Sequence, residues 1–373
     1  MRLRRTASVV LVAAVVLAVP VAADAADARP ARLKAALDAV VAAGAPSAQL
    51  EFRDGRYTER DASGVAELGR NRPAPENGRF RVGSVTKTFT STVVLQLVGE
   101  KRVRLEDTVE RWLPGRVPNG DHITVRQLLN HTSGLYNYTD DIMSAEDVVR
   151  DRYKSWTPDQ IVATAVAHPP LFPPGTSWSY SNTNYILAGQ IIERVTGRSY
   201  ASEVQRRIIG PVGLRDTSLP GNLPFIVGPH AHGYIEVSGA PLDITVFNPS
   251  IGGAAGEIVS TPTDLNKFYA AVLSGRLLKP AQLAELKAPA TADVPYGLGI
   301  YEQPLPCGIS VWGHTGGIPG YSTYSFQTED SSKRLTLSET VYKADTTPAV
   351  EQLLVTAFCP AGTTGRAQVR SFA

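Results

Sequence analysis

Residues 79–87 read Arg79-Phe80-Arg81-Val82-Gly83-Ser84-Val85-Thr86-Lys87, and how this run is parsed decides the fold. The extended segment Arg79 to Gly83 leads into a pattern with Val85, Phe89 and Val93 at helical spacing, which places Ser84 at a helix N-terminus. Three residues on, Lys87 lies one turn away on the same face, within reach of the hydroxyl. The helix dipole there disfavours a protonated amine. A partly desolvated lysine can then lose its proton and act as base to a serine that is a poor nucleophile by itself. This is the sole S-x-x-K of the chain, and composition alone predicts about 0.6 such matches.

Two further motifs follow in order. Tyr180-Ser181-Asn182 is the sole Y-x-N, set in a loop after Pro173-Pro174-Gly175 and just before a helical pattern. His314-Thr315-Gly316 is the sole [KH]-T-G and is followed by Gly317. It succeeds an extended run and so belongs on or beside an edge strand, where free N–H and C=O groups meet a peptide-like substrate. Chance predicts the ordered trio at roughly a few in a thousand. Other constellations are missing: there is no G-x-S-x-G, H-E-x-x-H or Walker loop, and no E-x-x-L-N. His230-Ala231-His232 lacks a third metal ligand, and His131 in Asn130-His131-Thr132-Ser133-Gly134 reads as a structural histidine in a turn. Neither a metal nor a cofactor is expected.

The rest of the chain frames these motifs. Leu33, Leu37, Val40 and Val41 form a helical stripe ending at Gly44. A strand over Ala48 to Phe52, an Asp54-Gly55 turn and a more polar strand toward Gly64 follow. Further extended runs cover Ile309 to Gly313, Tyr321 to Phe326 and Leu335 to Val341, before a helix over Pro348 to Phe358. Between the two ends lie helical patterns, among them Leu187 to Val195, ending at Gly197, and one opened by Thr157-Pro158-Asp159-Gln160 as cap, Pro at N1 and Gln at N3. The expected class is α+β, an antiparallel sheet built from both chain ends with flanking helices and an inserted, mostly helical region.

Of the 373 residues, the first 25 stand apart: Arg2, Arg4 and Arg5 precede an apolar run from Ala7 to Ala23, broken by Pro20 and closed by Ala23-Asp24-Ala25. This reads as a secretory signal, leaving a secreted catalytic domain over residues 26–359, a polar loose tail over 360–373, and no membrane anchor. The signal holds three Arg and one Asp, so the formal charge of +2 becomes zero without it, which argues against nucleic acid or an anionic membrane as partner. Export also makes a bridge the first reading of Cys307 and Cys359, with two buried thiols as the other. Closing a loop of about 50 residues would contribute roughly 4 kcal/mol.

With these motifs the chain resembles the serine beta-lactamase and penicillin-binding-protein superfamily, most of all its secreted DD-carboxypeptidases, which are grouped with class C beta-lactamases. Phe80-Arg81-Val82-Gly83, Ile123 to Gln127, His131 to Leu135, Tyr296-Gly297-Leu298-Gly299 and the two cysteines extend the likeness from about Leu33 to Cys359. The resemblance implies that Ser84 attacks a D-alanyl-D-alanine peptide, or a penicillin, to form an acyl-enzyme. Lys87 would take the serine proton and Tyr180 would protonate the leaving amine. Asn182 would bind the substrate amide, His314, Thr315, Gly316 and Gly317 would line the cleft, and the N–H groups of Ser84 and Gly317 would form an oxyanion hole. His314 is expected to make activity change between about pH 5 and 8.

One departure separates the chain from that pattern. Relatives that bind a terminal carboxylate carry an Arg shortly after Y-G-L-G and a Thr after H-T-G, where this chain has Tyr301 and Gly317. A phenol does not replace a bidentate guanidinium. A monomeric serine DD-carboxypeptidase is therefore the first expectation. A D-stereospecific peptidase, amidase or esterase, or a class C-like beta-lactamase, is the second, and an inactive receptor for cell-wall fragments the third.

Overall fold

The computed structural model describes residues 28–340 and 345–370, and the expected signal segment 1–25 lies outside them. Helix α1 (Arg29–Ala42) buries Leu33, Leu37 and Val40 and runs out toward Gly44, at φ 116°. It starts earlier than its apolar stripe because Pro30 sits in its first turn, where the missing N–H costs nothing. Strands β1 (Ser47–Asp54) and β2 (Tyr57–Gly64) form the hairpin turned at Asp54-Gly55. Along β1, Leu50 and Phe52 join Leu33 and Leu37 in one core. Glu51 points to the other face, where it accepts from Arg53 and Arg60 at 2.7 Å each.

A 3-10 turn over Gly83–Val85 carries Ser84 into helix α2 (Thr86–Gly99), which is buried almost all round. Its hydroxyls find partners, as burial requires: Thr88 donates to the Gly299 carbonyl at 2.6 Å and Thr90 to that of Ala254 at 2.8 Å. The Thr157-Gln160 capping box opens the short helix Pro158–Val166 as expected. Helix α3 (Thr183–Thr196) stops at left-handed Gly197. A four-residue helix, α4 (Gly253–Gly256), and helix α5 (Pro262–Leu273) complete the inserted region, with Phe268 stacked on Phe89 of α2.

The chain then returns to the sheet with β3 (Tyr301–Pro304), β4 (Ser310–Ile318), β5 (Tyr321–Gln327) and β6 (Lys333–Thr340), and ends in helix α6 (Thr347–Phe358). The strand order is β2-β1-β6-β5-β4-β3, antiparallel throughout, with Ser47 opposite Thr340 and His314 opposite Ser325. Helix α6 packs beside α1, and their buried residues join the Leu50 and Phe52 core; α5 contacts β1, β5 and β6, and its Asn266 donates to the Glu51 carbonyl at 2.9 Å.

Three features differ from the sequence reading. Strand β4 continues to Ile318 instead of ending at Gly313, so the His314 motif lies inside a strand. Strand β3 was not anticipated, since Glu302, Gln303 and Pro304 give no apolar alternation; it pairs only as far as Gly313, leaving His314 to Ile318 without a partner on that side. The tail is not loose as far as Arg370. Gln303 Nε2 donates to the Ala367 carbonyl at 2.6 Å and accepts, through Oε1, from Arg370 N–H, which ties the segment along β3. Cys307 and Cys359 stand with Cα atoms 5.8 Å apart and sulfurs at bonding distance.

Candidate active site

The trio of motifs converges at one end of α2. Lys87 Nζ lies 2.9 Å from Ser84 Oγ, 2.6 Å from Asn182 Oδ1 and 2.9 Å from the Ala255 carbonyl of α4. Tyr180 Oη donates to Ser84 Oγ at 2.8 Å. The lysine is fully buried and faces no carboxylate, so burial holds its pKa well below the ordinary value. A neutral amine has two N–H bonds and one lone pair. The two carbonyl oxygens take the donors, and the lone pair is left facing the Ser84 hydroxyl. Burial raises the Tyr180 pKa, which keeps the phenol protonated and able to donate.

Asn182 holds this arrangement from behind. Its Nδ2 donates to Asn137 Oδ1 and Thr139 Oγ1, each at 3.2 Å, which orients Oδ1 toward the lysine. The amide thus serves Lys87 in the unliganded site, where the resemblance implied a contact to substrate.

The backbone around Ser84 depends on two glycines. Gly83 adopts φ +54°, and a Cβ there would come within 2.6 Å of the Gly317 carbonyl oxygen. A Cβ on Gly316 would lie 2.0 Å from the Val82 carbonyl oxygen. With no side chain between them, the 3-10 turn and β4 touch main chain to main chain. Ser84 and Gly317 both border a cleft of about 720 Å³.

Of the four residues expected to line this cleft from β4, Gly317 alone does so. His314 is 1 % exposed and points under the sheet, because strand alternation turns it toward Tyr296. Its Nδ1–H donates to the Thr315 carbonyl at 2.5 Å, so Nε2 accepts from Tyr296 Oη at 2.8 Å. His131 completes the chain. Its Nδ1 accepts from Ser181 N–H at 3.2 Å, which leaves Nε2–H to donate to Tyr296 Oη at 3.2 Å. The structural reading of His131 is consistent with this geometry.

Burial pushes the His314 pKa down from 6.5 to about 3, and that of His131 well below 6.5. The expected activity change between pH 5 and 8 is thereby overturned, since His314 stays neutral throughout that range. The sign for stability follows. An unfolded chain protonates both rings below about pH 6.5, so it binds more protons than the folded protein, and stability is expected to fall as pH drops from 6.5 toward 3. NMR titration of the His314 ring should show no midpoint between pH 5 and 8; a midpoint there would contradict the buried, neutral assignment.

Tyr301 does not occupy the cleft. It is fully buried, and its hydroxyl donates to the Arg370 carbonyl of the tail at 3.2 Å. Among the residues that line the cleft, none carries an amine or guanidinium. Away from it, His232 lies 2.6 Å from Asp243, and no cluster of three metal-ligating side chains exists among the described residues. Motif reading missed Ala255, Asn137 and Thr139. A carbonyl leaves no trace in side-chain patterns, and the two polar residues resemble any loop.

The beta-lactamase family matches residues 33–336. A penicillin-binding protein 4* of Bacillus subtilis is 30 % identical over 73 % of the chain, and the match spans 63 % of that relative's length. Among solved structures, a D-stereospecific amidohydrolase from Streptomyces superposes with a TM-score of 0.82 at 42 % identity, covering 88 % of this chain and 98 % of that one. The D-amino acid amidase of Ochrobactrum anthropi, complexed with L-phenylalanine amide, gives a TM-score of 0.78 at 30 % identity, with coverage of 88 % and 98 %.

Proposed function

The chain belongs to the beta-lactamase family, and from that premise we propose that it is a D-stereospecific serine amidohydrolase that cleaves amides or peptides through an acyl-enzyme on Ser84. This displaces the DD-carboxypeptidase reading in favour of its amidase alternative. The carrying observation is the cleft itself: no Lys or Arg side chain lines it, and Tyr301, in the place where carboxylate-binding relatives carry Arg, is turned into the core. A free carboxylate would lose its water there without gaining a cation. The likeness to the two D-specific amidohydrolases supports the same choice.

The chemistry follows from the contacts. Ser84 Oγ attacks the substrate carbonyl carbon while Lys87 Nζ takes the hydroxyl proton, and the N–H groups of Ser84 and Gly317 hold the resulting oxyanion. Tyr180 gives its proton to the leaving nitrogen as the C–N bond breaks, and the proton that Lys87 took from the serine then returns to the phenolate, restoring the neutral amine and the phenol. Water, deprotonated by the same pair, then attacks the ester and frees Ser84. Tyr180 suits the acid role because its raised pKa keeps the proton until a basic nitrogen forms.

Turnover of an acyl-D-Ala-D-Ala peptide should be compared with its C-terminal amide, and each with the L-configured counterpart. We expect the amide to be preferred and the D-configuration to be required, with the transient acyl mass on the Ser84 peptide. Preference for the free acid would restore the carboxypeptidase reading. Beta-lactams, which carry a carboxylate beside the scissile bond, are expected to acylate Ser84 slowly.

A further inference from the structure

Helix α4 has a cavity on each side. Ala255 and Gly256 line the cleft that holds Ser84, whereas Gly253 and Ala254 line a second cavity of about 190 Å³. That is room for one six-membered ring, since a cavity of about 150 Å³ holds benzene. Pro158, Glu193, Gly221 and Asn222 are exposed and form its mouth, while Tyr200, Ala254 and Glu257 are buried and form its floor.

The lining specifies the chemistry of an occupant. Trp156, Ile161 and Ile186 give it apolar walls, Glu193 and Glu257 give it carboxylates, and no Lys, Arg or His lines it. Lys154 rests over the Trp156 ring, 3.6 Å from its centroid, without lining the cavity. Glu257 is 4 % exposed and makes no ion pair among the described residues; its oxygens accept from Tyr200 Oη at 2.5 Å and Gly221 N–H at 2.9 Å. Gln190, on the same wall, keeps a buried Oε1 with no hydrogen-bond partner. A buried acid without a counter-ion costs free energy that a bound cation recovers.

The acid has two hydrogen-bonding states. As a carboxylate it accepts from Tyr200. Once protonated it donates to Tyr200 Oη, whose own hydrogen is then free for the Gly253 carbonyl, 3.3 Å away. Burial raises the Glu257 pKa above 4.5, which favours the neutral state when the cavity is empty, and a cation beside it favours the charged one. The switch sits at α4, whose Ala254 carbonyl accepts from Thr90 at 2.8 Å and whose Ala255 carbonyl accepts from Lys87 at 2.9 Å. Glu257 N–H itself closes α4 by donating to the Gly253 carbonyl at 3.1 Å.

We infer that the second cavity is a ligand site, separate from the substrate cleft, for a small organic cation that joins one ammonium to one aromatic ring, and that its occupant acts on Lys87 through the Ala255 carbonyl. The ammonium meets Glu257 and the ring lies between Trp156 and the two isoleucines. The ligand is an effector, because α4 separates it from Ser84.

The test titrates the whole protein with 2-phenylethylamine and with the neutral 2-phenylethanol, by calorimetry and by tryptophan fluorescence. The amine is expected to bind about tenfold more tightly than the alcohol, the value of one charge-assisted contact, and Glu257→Gln should bring the two within about twofold. Trp156→Phe should retain the heat of binding and lose most of the fluorescence change. Equal binding of amine and alcohol by the wild type, or unchanged amine binding by Glu257→Gln, overturns the site, and the wild-type comparison stands whether or not the variant folds. The amine should also change kcat for the acyl-D-Ala-D-Ala amide in a way that saturating substrate does not reverse. Strictly competitive inhibition with no response from Trp156 places the amine in the cleft and overturns the inference; binding with kcat unchanged overturns the link to Lys87. The binding arms make no use of the amidohydrolase reading, which stands or falls with the acyl mass on Ser84.

Discussion

Replacement of Lys87 by Met is expected to lower kcat by about ten-thousandfold or more, as loss of a central group in a nucleophile–base unit does elsewhere. Methionine fills nearly the same volume but offers no lone pair to the Ser84 hydroxyl. Ser84→Ala should fall as far, and the two losses should not add, because each disables the same step. The lysine variant carries a second signature. In the wild type the buried amine is deprotonated well below its usual value, whereas the unfolded chain keeps that proton up to about pH 10.5. Wherever the folded amine is neutral and the unfolded one still charged, the unfolded state binds the extra proton, so this residue makes stability rise with pH on the approach to about 10.5. Lys87→Met should flatten that rise in thermal melts. A variant that retains kcat within tenfold would remove Lys87 from the role of base.

Gly316→Ala is expected to reduce kcat by about a hundredfold or more, the scale of losing one oxyanion donor. Its Cβ would lie 2.0 Å from the Val82 carbonyl and 3.2 Å from Ser84 N, so β4 and the 3-10 turn must separate, and the N–H groups of Ser84 and Gly317 move apart with them. Gly317→Ala is the control: a Cβ there meets nothing within 4 Å, so the fold should be undisturbed. The comparison needs Tm and kcat for both variants. If Gly316→Ala kept kcat within a fewfold, the backbone contact would have no part in catalysis.

What the sequence disclosed was short in range. Ser84 and Lys87 are three residues apart on a helix, so their contact follows from helical geometry alone, and the Thr157 cap and the Gly197 stop are similarly local. Tyr180 and Asn182 could be picked out by rarity, but the aim of Asn182 could not, because it is set by Asn137 and Thr139 some 45 residues away. The charge of His314 was misread for a related reason: a ring in an extended run has an ordinary pKa until Tyr296 and the sheet bury it. Tyr301 was legible as a missing cation and illegible as a core residue, since its hydroxyl partner lies 69 residues further on, in a tail that composition described as loose.

The pairing of Ser47 with Thr340 across 293 positions has a consequence for biosynthesis. At roughly 5 to 20 residues per second, β1 waits about 15 to 60 s after leaving the ribosome before β6 exists to pair with it. The nucleophile is translated early, but the strand that completes its pocket follows more than 200 residues later. Hydrolytic competence should therefore arise only once β4 to β6 have been made, so a nascent chain stalled before β4 would carry the serine and cleave nothing.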